Sequence, residues 1–447
     1  GGDQIAALTD AQVASLTSRQ VQYLTASQIG NLSTAQVVAI ETTDLAAMTT
    51  GQIVSFSPDQ IAAVTTAQVA GMKRQQIASL TNEQLAAMSA DQITAIETAD
   101  IQGLTSRQID ALSSTQLQAL TTAQVAVFTG AQVASINVDN IPLLSDAQLG
   151  ALQAVSLSSL TSSQMQALDD AQIAVLSTAQ TQSIRANVLA VMDQGQINAL
   201  TTAQVKALGT SQVNVLDAKQ VAALSTDQVA ALGTNQVNAL SSTGVQALTA
   251  KQVAALSTTQ VAAMTTTTVQ ALETADITAL SSAQLNALTT SQVGALTTTQ
   301  MKGLALDDLA KLGATQLGAL STTQIGALTA AQVNALGTTS VAALTTSQVA
   351  GLTKAQITGL TADNLKALTT AQVAKLDTTQ LSGLSVAQLS SLTTGQVNAL
   401  STQSIQGLSA NAITGLTTAQ VAALSTSQVA VLTTSQAKDM ATKTIAA

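Results

Sequence analysis

The feature that most constrains this chain is a period of eight residues that never slips. From Thr201 it reads TTAQVKAL, GTSQVNVL, DAKQVAAL, STDQVAAL, GTNQVNAL. Every residue whose number is divisible by eight, from Leu8 to Met440, is apolar, and most are Leu. A second apolar column follows five residues later, running Ile5, Val13, Val21, Ile29 and onward to Ile445, broken only by Thr181 and Ala437. The position before it is Gln in most repeats, as at Gln4, Gln12, Gln20 and Gln28. No insertion or deletion interrupts the phase, so the chain reads as one continuous array over residues 1–447 with no domain boundary.

Eight residues fit neither a continuous helix nor a flat strand. At about 100° per residue, each repeat leaves the apolar columns about 80° out of phase on a helix, so they would spiral around it. On a strand, columns an odd number of residues apart point to opposite faces. One short helix per octad fits better. Each Leu is usually followed by Thr, Ser, Asp or Gly, with Gln three residues later. That is the capping box, in which a hydroxyl at the N-cap and a Gln at N3 satisfy backbone N–H groups at the helix start. Leu8 before the cap Thr9, and Val13 after Gln12, occupy the positions of a hydrophobic staple. The same signature recurs at Leu16, Thr17, Gln20, Val21 and at Leu200, Thr201, Gln204, Val205. Pro58 directly follows the cap Ser57, which places it at N1, where its missing N–H is harmless. Pro142 falls late in its repeat, where a helix still needs the N–H, and predicts a local distortion over 137–144.

So short a helix does not persist alone. Burial of one Leu and one Val falls short of the entropy lost in ordering eight residues, so each octad must stack on others, as in a solenoid. The seventh column is usually Ala, Gly or Ser, as at Ala7, Ser15, Ala39, Gly71 and Ala111. Small residues there let coils approach closely, although Ala is also simply a good helix former. Irregularities recur at intervals of 24 residues: Met48, Met72, Met192 and Met264 fall at multiples of that number, and Asp169, Asp193 and Asp217 follow one another at that spacing. The expected fold is therefore an all-α solenoid of short helices, one per octad, with three octads per coil. The alternative is a triangular β-solenoid with Thr-rich corners.

Composition excludes much chemistry. There is no Cys, His or Trp, and only one Tyr and two Phe. Thiolate sites, imidazole bases, ordinary zinc, haem or iron–sulfur centres and aromatic stacking platforms are thereby ruled out. A net charge of −9 argues against a nucleic-acid partner. No apolar stretch is long enough for a transmembrane helix, and Gly1-Gly2-Asp3-Gln4 does not read as a signal peptide. There is no phosphate loop, dinucleotide fingerprint or calcium loop. The carboxylate pairs Asp169–Asp170 and Asp307–Asp308 lie at repeat starts, where the positive helix end favours acids. Lys73, Lys251 and Lys302 read as solvated surface, and so does the adjacent basic pair Lys73–Arg74. Tyr23, in the small-residue column, is expected to pack against an early coil, with an end interface as the alternative. Thr181 is expected to be a satisfied buried hydroxyl. Asn31-Leu32-Ser33 is the one glycosylation sequon. The span 137–195 is the least regular, with Pro142, Ser156, Thr181 and Val188 off pattern. It reads as drift in a tolerant array, with a bend or contact site as the sharper alternative. No catalytic, cofactor-binding or metal-binding residue is assigned, and no cofactor is expected.

Runs such as LTTAQVAAL at Leu416–Leu424 resemble the long Ala/Thr/Gln/Leu-rich octapeptide regions of very large secreted bacterial surface proteins, often described as adhesin-like. The resemblance spans the whole chain and brings no functional residues with it. It implies an extracellular or cell-surface bacterial setting and a structural or adhesive role. The expectation is a repeat rod that self-assembles into a filament, stalk or fibre. Its partners would be copies of itself, meeting end to end near Ile5, Leu8, Met440 and Ile445, or side by side, and it would not insert into a membrane. The competing expectation is a binding module whose Thr/Ser/Gln surface recognises a partner, a glycan or an ordered surface. An enzyme is not expected.

Overall fold

The computed structural model describes residues 2–445, with side-chain exposure for residues 4–440. Among the described residues there are 54 α-helices and one 3-10 helix, and no strand. The β-solenoid is therefore not the fold; the chain is an all-helical solenoid. It divides into two compact units, Gly1–Leu224 and Ser225–Ala447.

The octad at Thr201 shows how the sequence makes its own turn. Thr201 is extended, with φ −68° and ψ 158°, and its hydroxyl accepts from the Gln204 N–H at 3.2 Å. Gln204 Oε1 returns the bond, accepting from the Thr201 N–H at 2.6 Å. Helix Thr202–Ala207 follows and stops at Leu208, which is extended again with φ −57° and ψ 138°. Two consecutive extended residues, the Leu and the next cap, swing the chain into the following helix. No left-handed residue is needed, and among the described residues none other than Gly has positive φ. Val205 and Leu208 are 0% and 5% exposed, so both apolar columns face inward.

Within the first unit helices pack on those three places away along the chain, as Pro58–Ala63 does with Asn82–Ala87 and Gln194–Ala199 with Ala218–Ala223. Three octads therefore make one coil. Pro58 sits in the first turn of its helix, behind the cap Ser57. Around Pro142 the octad tightens into a 3-10 helix, Val138–Leu143, because proline cannot supply the N–H that an α-helix would use there. Ile141 is nevertheless buried, so the apolar register survives the distortion. The small-residue column has a steric reason where it is Gly: a Cβ on Gly103 would lie 2.5 Å from the Arg74 carbonyl oxygen of the preceding coil.

The second unit repeats the pattern, with Thr322–Ala327 packing against Thr346–Ala350. A Cβ on Gly351 would lie 2.9 Å from Thr322 Cβ. Two places lose the usual turn. At Gly337 and Ser340 both capping-box positions carry residues that do not close the box. Leu336 then stays helical, with φ −58° and ψ −29°, and the chain turns through Gly337 at φ +74° instead. At Ala441 the helix runs on through Thr434–Ile445, whereas Ala305 in the same column keeps the extended turn with φ −67° and ψ 153°. Ile5, Leu8 and Met440 are partly exposed; the side chain of Ile445 lies outside the described residues.

Candidate functional site

The side chain that organises the molecule is the Gln of each octad. A capping box needs only its carbonyl oxygen. The structure gives the amide nitrogen a second task. Gln204 Nε2 donates to the Ile173 carbonyl at 2.8 Å and to the Leu176 carbonyl at 2.7 Å, both at the C-terminal end of a helix in the coil beneath. Those carbonyls are among the groups a helix end leaves without an intrahelical partner. Gln84 does the same with Ile53 and Phe56, and Gln292 in the second unit with Val261 and Met264. Each such Gln ties the start of its own helix to the end of a helix 28 to 31 residues earlier. Gln84 and Gln204 are 1% exposed, so the amide is buried with both its ends satisfied. Among the described residues no buried side-chain nitrogen or oxygen lacks a partner.

The sequence carries a signal for this that capping logic alone passes over. Glu would serve a capping box as well as Gln, yet the column contains no Glu. Only an amide accepts at one end and donates at the other.

Several octads that look irregular keep the same contact by other means. Ser156 Oγ donates to the Phe128 carbonyl at 2.6 Å, and Ser404 Oγ to the Leu376 carbonyl at 2.7 Å. Asn140 Nδ2 reaches the Leu112 carbonyl at 3.1 Å. Val188 has no donor, but the neighbouring cap residue Arg185 sends its Nη2 to the Leu160 carbonyl at 2.7 Å. Thr181 is fully buried, and its hydroxyl donates to the Ser177 carbonyl at 3.1 Å, as expected of a satisfied core hydroxyl.

The other residues singled out from sequence do not converge. Asp169, Asp193 and Asp217 are the N-caps of Asp170–Val175, Gln194–Ala199 and Ala218–Ala223, each accepting from a backbone N–H at 2.7 to 2.8 Å. Asp170 and Lys219 line an open groove beside the last two of these caps. Asp307 and Asp308 lie in the first turn of Leu306–Leu309. Lys73, Lys251 and Lys302 are exposed. Arg74 donates from Nη2 to the Gln102 carbonyl at 3.3 Å. Asn31 is exposed, beside buried Leu32.

Tyr23 corrects the expectation of packing: it is 75% exposed. Elsewhere the small-residue column packs on the residue 29 positions earlier, as Gly351 does on Thr322.

Among the described residues no group of three or more acidic side chains is placed to hold a metal ion. No described helix is long and apolar enough to cross a membrane. The architecture and its Gln seam define an octapeptide-repeat helical solenoid, a scaffold not typical of enzymes. The chain belongs to the ALTTAQ repeat family, whose model matches residues 37–74, 93–130, 189–226, 216–242, 229–266, 269–306, 301–338, 373–410 and 394–426, together more than half of the sequence. No curated protein matches it. A solved chain described as "Structure of APUM23-GGAAUUGACGG" aligns over 100% of this chain and 96% of its own, with 12% identity and a TM-score of 0.19. At that score the likeness carries no argument about fold or ligand.

Proposed function

We propose that the protein is a structural component of the bacterial cell surface, without catalytic activity, that assembles with copies of itself into a filament, stalk or fibre. The observation that carries this reading is the uniformity of the coil-to-coil contact. Gln68 to Ile40 in the first unit and Gln324 to Leu296 in the second make the same bond, at 2.7 and 2.6 Å. A contact that repeats without change lets length grow by adding octads, which suits a spacer better than a site built once. The extracellular setting rests on the resemblance to secreted bacterial repeat regions. Negative-stain microscopy of the purified chain over a range of concentrations tests the proposal. Assemblies that lengthen or bundle as concentration rises are expected; particles that stay single at every concentration would contradict self-assembly.

A binding module is the second reading. It is favoured by rows of exposed hydroxyls on stacked helix starts, such as Thr370, Thr394 and Thr418 in the second unit. Pull-down of a glycan or surface by a chain that stays single would support it over the filament.

A further inference from the structure

In the second unit, Asp276 stands in the Gln column and is 2% exposed. Its Oδ2 accepts from the Glu273 N–H at 3.0 Å, which reproduces the capping half of the Gln contact. The other half needs a donor. Elsewhere in the column, Gln260 donates to the Leu232 carbonyl and Gln284 to the Leu256 carbonyl, both at 2.7 Å. The same register sets Asp276 over the Leu248 carbonyl, and an ionised carboxylate has no hydrogen to offer it. Asn140, with a side chain of the same length in the 3-10 octad, brings its amide to the Leu112 carbonyl at 3.1 Å.

Comparison with Asp44 isolates what Asp276 lacks. Asp44 is also buried in the Gln column, but Ser18, 26 residues earlier, donates its hydroxyl to Asp44 Oδ1 at 2.5 Å. The residue 26 positions before Asp276 is Ala250, which has no hydroxyl. We propose that Asp276 is a proton-linked form of the Gln contact: protonated, it donates its carboxyl hydrogen to the Leu248 carbonyl; ionised, it sets oxygen against oxygen and loosens helix Thr274–Ala279 from the coil beneath. The inference does not depend on where the protein acts.

The electrostatic surroundings agree in sign. Burial pushes the Asp276 carboxyl above its usual range; the Glu273 N–H opposes this, and the nearby Glu273 carboxylate adds to it. The helix packed beneath, Ala250–Ala255, brings Lys251, and the helix above, Thr298–Gly303, brings Lys302. Both lysines are exposed, as is Glu273. An acid whose folded value is raised binds its proton more tightly when folded. Its contribution is complete below the ordinary Asp value and is lost as pH rises through the folded value.

Hydrogen exchange of the full chain, read by mass spectrometry on 250–255 and 274–279 and corrected for intrinsic rates, tests this between about pH 3 and about pH 7, below and above the ordinary Asp range. Asp276→Asn supplies a permanent donor. The variant and the parent should match at the acid end, and the variant should be several-fold better protected at neutral pH. Ala250→Ser, which copies the Ser18 donor, should shrink the parent's pH dependence. A parent-to-Asn ratio that does not change with pH, or an Ala250→Ser chain with the parent's full slope, would overturn the proposal.

Discussion

Gln220 donates its side-chain amide to the carbonyl of Met192, 28 residues earlier, at 2.8 Å, while its Oε1 accepts from the Asp217 N–H at 3.0 Å. One buried side chain therefore holds a helix start and a helix end in separate coils. Loss of a cap alone costs about 1 kcal/mol. Gln220→Ala also leaves buried backbone groups without partners, so the expected cost is about 2–4 kcal/mol. Gln220→Glu keeps the acceptor and loses the donor, and should be destabilised at neutral pH. Urea unfolding of the two variants and the parent measures both; an Ala variant within about 0.5 kcal/mol of the parent, the range of an ordinary surface change, would remove the double role.

The Leu column is tested at Leu216, which is 3% exposed. Leu216→Asp buries a carboxylate with no partner, and the expected loss is about 4 kcal/mol or more. Thermal unfolding followed by circular dichroism reads it. An unchanged melting temperature would mean that the column does not face the core.

Arg185 and Val188 form a compensated pair. With no donor at Val188, the Leu160 carbonyl depends on the Arg185 guanidinium. Arg185→Ala should cost about 1–3 kcal/mol. Adding Val188→Gln to that variant places an amide in register for the same carbonyl and should recover much of the loss. A double-mutant cycle with no coupling between the two sites would contradict the compensation.

Much of this is legible in the residues. The period excludes continuous helix and strand, Thr201 and Gln204 announce the cap, Pro58 marks a first turn, and Pro142 marks the one 3-10 octad among the described residues. Methionine and aspartate spacings point to three octads per coil. What stays hidden depends on which residues stack. The second bond of each Gln, and the stand-in of Arg185 for Val188, emerge only once the coil register is known. Tyr23 misleads for the same reason: its place in the small-residue column does not reveal that it stands 75% exposed. Tyr23→Ala should therefore change stability by no more than about 0.5 kcal/mol, as expected at an exposed site; a loss of several times that size in the single molecule would restore a packing role.

The central claim, that each octad stacks on the one three repeats earlier, is tested most directly by cross-linking. The chain has no cysteine, so an introduced pair reports without background. A Cβ at position 351 would lie 2.9 Å from Thr322 Cβ, near the separation of about 3.5–4.5 Å that a disulfide spans once the backbone eases. Thr322→Cys with Gly351→Cys should oxidise readily within one molecule. Thr322→Cys with Ala343→Cys, or with Gly359→Cys, moves the second thiol one octad either way and should stay reduced. Equal oxidation of all three pairs, or preferential oxidation of a shifted pair, would contradict the three-octad coil.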